Sequence, residues 1–228
     1  MQGQAAAESP APATTAARLR IAETFYSLQG EADAVGWPTF FIRLTGCPLR
    51  CHYCDTAYAF EGGGWRELAT LVSDARASGA RHVCVTGGEP LAQKNCLPLL
   101  AQLCDAGLKV SLETSGAIDA SNVDPRVVRV IDIKTPGSGE STRNLELDRQ
   151  ELRSSDQLKF VICDRSDYEW SRELVCSRRL NTICPVLFSP SWLQLPAAQL
   201  AGWILADRLS VRFQVQLHKV LWGDVPGR

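Results

Sequence analysis

The 228-residue chain has no apolar run approaching the ~20 residues that a membrane-crossing helix needs, so no membrane span is expected. It has no surplus of either charge: 24 Lys and Arg stand against 25 Asp and Glu, a formal net charge of −1. Nucleic-acid-binding domains carry a basic excess, so a polyanionic partner is not expected. The first residues, MQGQAAAESPAPATTAA, have neither the basic start nor the apolar stretch of a secretory leader. Nine cysteines, an odd number, without such a leader point to a reducing compartment, the cytoplasm. No second C-x2-C pair accompanies Cys51 and Cys54, which argues against the usual four-ligand zinc arrangement. No internal repeat is visible.

What is present is concentrated in GCPLRCHYCDT, where Cys47, Cys51 and Cys54 fall within eight residues. Three neighbouring thiolates hold a metal centre from one side only. On a four-iron cluster they leave one iron open, and an open coordination position separates a catalytic centre from a closed structural one. His52 lies too close in sequence to complete a zinc tetrahedron comfortably, and a disulfide framework would leave one of the three unpaired. Cys84, Cys96, Cys104, Cys163, Cys176 and Cys184 are scattered, mostly in apolar runs such as HVCVTGG and FVICD. Most of them read as small core hydrophobes.

The Ala/Pro/Thr-rich tail is expected to be disordered through residue 17, with one domain over 18–228. Strand-like runs are RIAETFYSL (20–28), TFFIRL (39–44), HVCVTG (82–87), KVSLET (109–114), VVRVIDIK (127–134), QLKFVICD (157–164), TICPVLF (182–188) and RFQVQLHK (212–219). Helical patterns fall between several of them: RELATLVSDARASG, QKNCLPLLAQLCDAG, SDYEWSRELVCSRRL and PAAQLAGWILAD. This β–α order predicts a mostly parallel sheet with helices outside it and an extra N-terminal strand before the first unit. The connections near 115–126 and 135–155 are poor in helix, so shortened crossovers are expected there. The run PGSGES reads as a mobile loop, since no helix clearly follows it.

Parallel β/α folds collect functional groups at the C-terminal ends of their strands. The cysteine loop follows TFFIRL, and the next strands end in TGGEP, ETSG and DIKTPGSG. By position, Glu89, Glu113, Asp132, Lys134 and Ser189 are candidates to line a cofactor site; Glu113 and Lys134 also read as surface charges at strand tips. Arg43 alternates with Phe41 on one face of its strand, while Phe40, Ile42 and Leu44 take the other. A half-buried guanidinium needs an anion, either a protein carboxylate or that of a substrate. Gln214, Gln216 and His218 alternate along the last strand, on the pocket floor or on the solvent face of an edge.

The spacing C-x3-C-x2-C, with Tyr53 before the third cysteine, resembles the signature of the radical S-adenosylmethionine enzymes. Gly87, Gly88 and Glu89 resemble the family's GGE element, which binds the amino group of that cofactor. FYSLQGE (25–31), FIRLTGCPLRCHYCDTAYAF (41–60), ETSG, DIKTPGSGE and FQVQLHKVLWGD together resemble the 7-carboxy-7-deazaguanine synthase family, from residue 20 to the end. The resemblance implies a partial (β/α)6-type barrel. It implies a [4Fe–4S] cluster on the three cysteines whose free iron chelates the amino acid end of S-adenosylmethionine. Tyr53, Asp55 and Gly88 would line the cofactor site, and Leu28, Gln29, Gly30, Arg43 and Thr86 would bind substrate.

Thr56 would ligate Mg2+, although one hydroxyl is a feeble site unless the substrate supplies further oxygens. Otherwise it is a hydroxyl bonded within its own loop. The implied reaction takes 6-carboxy-5,6,7,8-tetrahydropterin to 7-carboxy-7-deazaguanine with loss of ammonia, for queuosine synthesis. An external one-electron donor such as a flavodoxin or ferredoxin would reduce the cluster, and a homodimer is implied. Two other readings stay open. A glycyl-radical activase would need a surface for a protein partner, and an iron–sulfur electron carrier would give every iron a protein ligand.

Overall fold

The computed structural model of the chain describes residues 16–227. The tail expected over residues 1–17 lies outside the described residues except for Ala16 and Ala17. Ala17 already joins the domain, its carbonyl accepting from Leu68 N at 3.1 Å.

The elements in chain order are β1 (Arg18–Leu28), β2 (Pro38–Leu44), β3 (Gly64–Glu67), α1 (Leu68–Ala77), β4 (His82–Gly87), α2 (Cys96–Asp105) and β5 (Lys109–Thr114). They continue with β6 (Val128–Ile133), β7 (Gln157–Ile162), α3 (Arg165–Ser177), β8 (Val186–Pro190), α4 (Ala197–Ala206), β9 (Arg212–Phe213) and α5 (Leu217–Trp222). One nine-stranded sheet runs β3-β1-β2-β4-β5-β6-β7-β8-β9. β1 is antiparallel to β2 and β3, and every pair from β2 to β9 is parallel. β2 and β4 to β8 are six parallel strands, and the two edges of the sheet do not pair. The architecture is the expected open, partial barrel.

The apolar runs explain the layers. Ile42, Leu44, Val83, Val85 and Leu112 turn outward onto Leu71 and Ala75 of α1 and Leu99, Leu100 and Leu103 of α2. Further round, Leu158, Phe160, Ile162 and Phe188 pack against Tyr168 and Val175 of α3 and Leu200 and Ile204 of α4. Asp164 caps α3, its carboxylate accepting from Asp167 N at 2.9 Å. Inside the curve of the sheet, a small third cluster joins Val130 of β6, Leu187 of β8 and Ala32 from the β1–β2 loop.

The β5–β6 and β6–β7 crossovers carry no α-helix, as their sequences predict. A buried ion pair ties them down instead. Arg129, 3% exposed, bonds Asp156, 0% exposed, and also donates to Ala120 O at 2.9 Å and Glu151 O at 2.7 Å. Asp156 in turn accepts from Arg153 N at 2.7 Å. Breaking such a pair strands a charge out of water, so Asp156→Ala is expected to cost about 3–5 kcal/mol of stability. A urea titration reads this as a lower midpoint at unchanged slope; a shift no larger than that of the exposed Arg126–Asp105 pair would contradict it.

Three elements depart from the sequence reading. β3 is an additional edge strand, held by register Arg18↔Glu67 to Ile21↔Gly64 on β1. The strand expected at 182–188 lies at Val186–Pro190, because Leu180–Thr182 forms a 3₁₀ turn that finishes the exit from α3. The expected strand 212–219 holds its strand form for two residues and then becomes α5. Gln214 therefore does not share a strand face with Gln216 and His218. It is 6% exposed and bonds the backbone of Ala32, accepting from its N at 2.8 Å and donating to its O at 3.1 Å. Leu217 N donates to Gly30 O at 3.0 Å, and Gln216 Nε2 to Glu31 Oε1 at 2.6 Å. These contacts lay the β1–β2 loop and the C-terminal segment against each other across the gap in the barrel.

Candidate active site

A cavity of about 510 Å3 opens at the C-terminal ends of the parallel strands. Cys47, Cys51 and Cys54 all line it. Their loop leaves β2 through Gly46 at φ +98° and lies directly on the backbone after β4. Glu89 N donates to Gly46 O at 2.8 Å, and a Cβ at Gly88 would come within 2.3 Å of Gly46 O and 2.6 Å of Cys47 Cβ. Only glycine permits that approach. From the opposite side, His52 N donates to Ser138 O at 3.0 Å and Arg50 N to Glu140 Oε1 at 2.6 Å. Residues 136–140, which read as a mobile loop in the sequence, thus form a hydrogen-bonded clamp on the cysteine loop. The clamp is held by Asp167, which accepts from Gly137 N at 2.7 Å and Thr135 Oγ1 at 2.9 Å.

The donor set suits a multi-iron centre better than a single ion. Among the described residues, no three His, Cys, Asp or Glu side chains gather closely enough to hold one metal ion. A cubane takes each thiolate on a separate iron, so three cysteines lining one cavity fit it. Burial pushes the Cys51 thiol up to about 11, against the pull of the Lys134 ammonium. A bound cation is what would keep it a thiolate.

Around the cysteines, Tyr53, Asp55, Thr56 and Gly88 also line the cavity. Burial raises the Tyr53 phenol, whose hydroxyl has no partner among the described residues. Burial opposes the charge of Asp55, yet the Lys219 ammonium at 2.8 Å holds its carboxyl below the usual value. Thr56 Oγ1 lies 3.8 Å from Cys54 Sγ.

On the far side stand Leu28, Gln29, Gly30, Arg43, Thr86 and Glu113. Gly30 is packed so closely that a Cβ would meet His218 Nδ1 at 2.0 Å. Arg43 has found a protein carboxylate: its Nε donates to Glu23 Oε1 at 2.7 Å, with the Phe25 and Tyr58 rings beside it. Among the described residues its terminal nitrogens make no hydrogen bond, which leaves them for a ligand. Glu113 accepts from Thr86 Oγ1 at 2.9 Å and Gln29 Nε2 at 3.4 Å, and no cation among the described residues pairs with it. It therefore groups with Thr86 and Gln29, away from the cysteines.

Between the two sides runs a buried chain of charges. Lys134 Nζ lies 3.1 Å from Asp132 Oδ2, Lys159 Nζ lies 3.4 Å from the same oxygen, and Lys159 reaches Glu31 Oε2 at 2.5 Å. Asp132 and Lys134 were legible by position; Glu31 and Lys159 were missed. A lysine inside the apolar run QLKFVI is the same kind of anomaly as Arg43 in FFIRL, and it was the available signal.

Two expected residues are not on the cavity wall. Glu89 is fully buried behind it, its carboxylate accepting from Leu91 N, Thr114 Oγ1 and both Ser115 N and Oγ. It braces the end of β5, and Thr114 and Ser115 line the cavity in its place. Ser189, 2% exposed, lies within β8, and Ser191 just past the strand end takes the wall position.

A model of the Radical SAM superfamily matches residues 41–132. The 7-carboxy-7-deazaguanine synthase of Chlorobaculum tepidum is 42% identical, the match covering 92% of this chain and 97% of that one. The one of Koribacter versatilis is 39% identical over 90% and 97%. Among solved structures, QueE from Escherichia coli aligns with a TM-score of 0.73 at 26% identity, covering 88% of this chain and 95% of its own. Streptococcus suis SuiB, bound to its precursor peptide SuiA, shares the fold at a TM-score of 0.57 and 15% identity, over 78% of this chain and 48% of its own.

Proposed function

The chain belongs to the 7-carboxy-7-deazaguanine synthase family of radical S-adenosylmethionine enzymes, and from that premise we propose how its own residues serve the reaction. The enzyme is a carbon–nitrogen lyase that converts 6-carboxy-5,6,7,8-tetrahydropterin to 7-carboxy-7-deazaguanine with loss of ammonia, in queuosine biosynthesis. The observation that carries the reading is one cavity lined by three thiols, by Arg43, whose terminal N–H groups have no protein partner among the described residues, and by Glu113, a carboxylate with no ion-pair partner among them. A glycyl-radical activase would present a broad groove; here the Arg43 side chain is only 13% exposed and Gln29 is 3% exposed. An electron carrier would surround its irons with protein ligands, and the cysteine wall faces open space.

Cys47, Cys51 and Cys54 hold a [4Fe–4S] cluster, with S-adenosylmethionine against Tyr53, Asp55, Gly88, Asp132 and Lys134. When bound, these groups supply the one-electron chemistry that removes a hydrogen atom from carbon. The chain's part is to bind, orient and shield. Arg43 offers its terminal N–H groups to the substrate carboxylate, while Glu23 fixes its Nε. Glu113, lacking a counter-cation, accepts from N–H groups of the substrate ring; this moves it from the cofactor side to the substrate side. Leu28, Gln29, Gly30 and Thr86 complete that wall. Glu89 acts from behind, through Thr114 and Ser115. A one-electron donor of the flavodoxin or ferredoxin kind, a cytoplasmic location and a homodimer complete the reading. No helix among the described residues is long and apolar enough to cross a membrane.

Anaerobic incubation with S-adenosylmethionine, a reductant and the pterin tests this: deazaguanine product and ammonia are expected in equal amounts. Cofactor cleavage with the pterin untouched would overturn the substrate assignment.

Thr56 supplies Mg2+ with one oxygen, water and substrate providing the rest, so metal and substrate bind together. Adding Mg2+ is expected to tighten pterin binding, and the pterin must tighten metal binding by the same factor. Thr56→Ala should weaken that coupling with the iron–sulfur spectrum unchanged. Equal pterin affinity with and without a Mg2+ chelator would make Thr56 a plain loop hydroxyl.

A further inference from the structure

Lys159 is a buried ammonium that the reading above leaves without a task. It sits in mid-strand on β7, in register with Asp132 of β6 and Leu187 of β8. Its neighbours Leu158 and Phe160 pack outward under α3 and α4, so alternation turns residue 159 into the barrel. It is 8% exposed there and lines the cavity. An ammonium in that place is tolerated only with carboxylate partners, and it has two, Glu31 Oε2 at 2.5 Å and Asp132 Oδ2 at 3.4 Å.

The two partners belong to different parts of the molecule. Asp132 is on the barrel wall, whereas Glu31 lies in the β1–β2 loop, outside the run of parallel strands. That loop is tied within itself, since Gln29 Oε1 accepts from Gly30 N at 2.8 Å and Glu31 N at 3.3 Å. It is tied to the C-terminal segment by Leu217 N, Gln216 and Gln214. Its links to the parallel strands are fewer. Gln29 to Glu113 is long at 3.4 Å, and Asp33 to Arg212 of β9, at 3.0 Å, is an exposed pair at the sheet edge, so the short, buried charged link is Lys159 to Glu31.

We propose that Lys159 is a positioning residue for the substrate: by fixing the Glu31 carboxylate to the barrel wall it sets the Leu28–Gly30 segment in register with Arg43, Thr86 and Glu113. The proposal rests on the substrate reading of that wall. It explains why a charge sits in an otherwise apolar strand, and why the loop can be placed by a side chain more than a hundred residues distant in sequence. Burial works against the charge on Glu31, but the Lys159 ammonium holds its carboxyl below the usual value. His218 from α5 faces the same carboxylate, with Asp132 and Glu113 on the other side of Lys159. Glu31 thus remains an anion throughout the neutral range, and the link is permanent rather than switched.

The test is a cycle of K159M, E31Q and K159M/E31Q in the reconstituted enzyme, with K159R as the charge-conserving control. Each single variant is expected to raise KM for the pterin by about tenfold or more, with a smaller fall in kcat. The double variant should be no worse than the worse single one, because both substitutions break one link. K159R should recover most of the loss. Iron content should match wild type throughout, and cofactor cleavage in the absence of pterin should match wild type in E31Q, which leaves Asp132 with both of its lysines. Should K159M fold poorly because it strands Glu31, the electrically balanced K159M/E31Q is compared with E31Q alone: equal KM values uphold the link. Additive losses or an unchanged KM overturns it, as does, where K159M folds too poorly to assay, a double variant weaker than E31Q. Failure of the substrate reading itself looks different, since wild type would then leave the pterin unconverted.

Discussion

Replacing any one of Cys47, Cys51 or Cys54 by alanine is expected to abolish the iron–sulfur centre and reduce turnover to background. Wild-type protein reconstituted without oxygen should hold about four irons and four sulfides, with the broad charge-transfer absorption of such a cluster. In the proposed centre each thiolate anchors a different iron, so the loss of one leaves an iron without its protein ligand. Cys96→Ala and Cys176→Ala are the controls. Cys96 opens α2 and is fully buried in the core, its thiol pushed up to about 12 by burial. Cys176 is exposed on α3 and does not line the cavity. Both variants should retain their iron. Stoichiometric zinc in the native protein without charge-transfer absorption would falsify the cluster assignment.

Arg43→Lys is expected to lose most pterin turnover, on the order of a hundredfold, while iron content and cofactor cleavage without pterin persist. Lysine keeps the positive charge, so Glu23 is not stranded and the fold has no reason to fail. What it cannot keep is the division of labour in the guanidinium, with Nε committed to Glu23 and the terminal nitrogens without a hydrogen-bond partner among the described residues. A lysine ammonium must choose between Glu23 and a substrate carboxylate. If Arg43→Lys instead loses its cluster, or turns over the pterin at the wild-type rate, the clamp is misassigned.

Much of this was legible in the chain because the signals are local. HVCVTG and KVSLET are β4 and β5 to the residue, since each is a short apolar run bounded by charges or glycines. The helices α1 to α4 follow their 3.6-residue patterns. β3 was illegible because GWRE has no strand pattern of its own and acquires strand form by pairing with β1. In α5, the alternation of QVQLH imitates a strand, and the contacts of Gln214 and Leu217 with residues 30 and 32 override it.

Two of the expected residues also sit differently from where the sequence put them. β8 starts four residues later than expected and ends at Pro190 rather than Phe188, so Ser189 falls inside the strand and Ser191 is the serine on the cavity wall. Glu89 follows two glycines and looks free in sequence. Its hydroxyl partners, Thr114 and Ser115, arrive from the next strand and occupy its carboxylate.

The meeting of the β1–β2 loop with the C-terminal segment has a consequence for the order in which the molecule is completed. Ala32 and Gln214 are 182 residues apart, among the most distant partners in the chain. Contacts of such separation carry a large loop-closure cost and form late. The cysteine wall, by contrast, is built from β2, β4 and the crossover at 136–140. On a growing chain, therefore, the half of the cavity assigned to the metal centre can take shape well before the half assigned to the substrate, which waits for residues 214–218 to arrive.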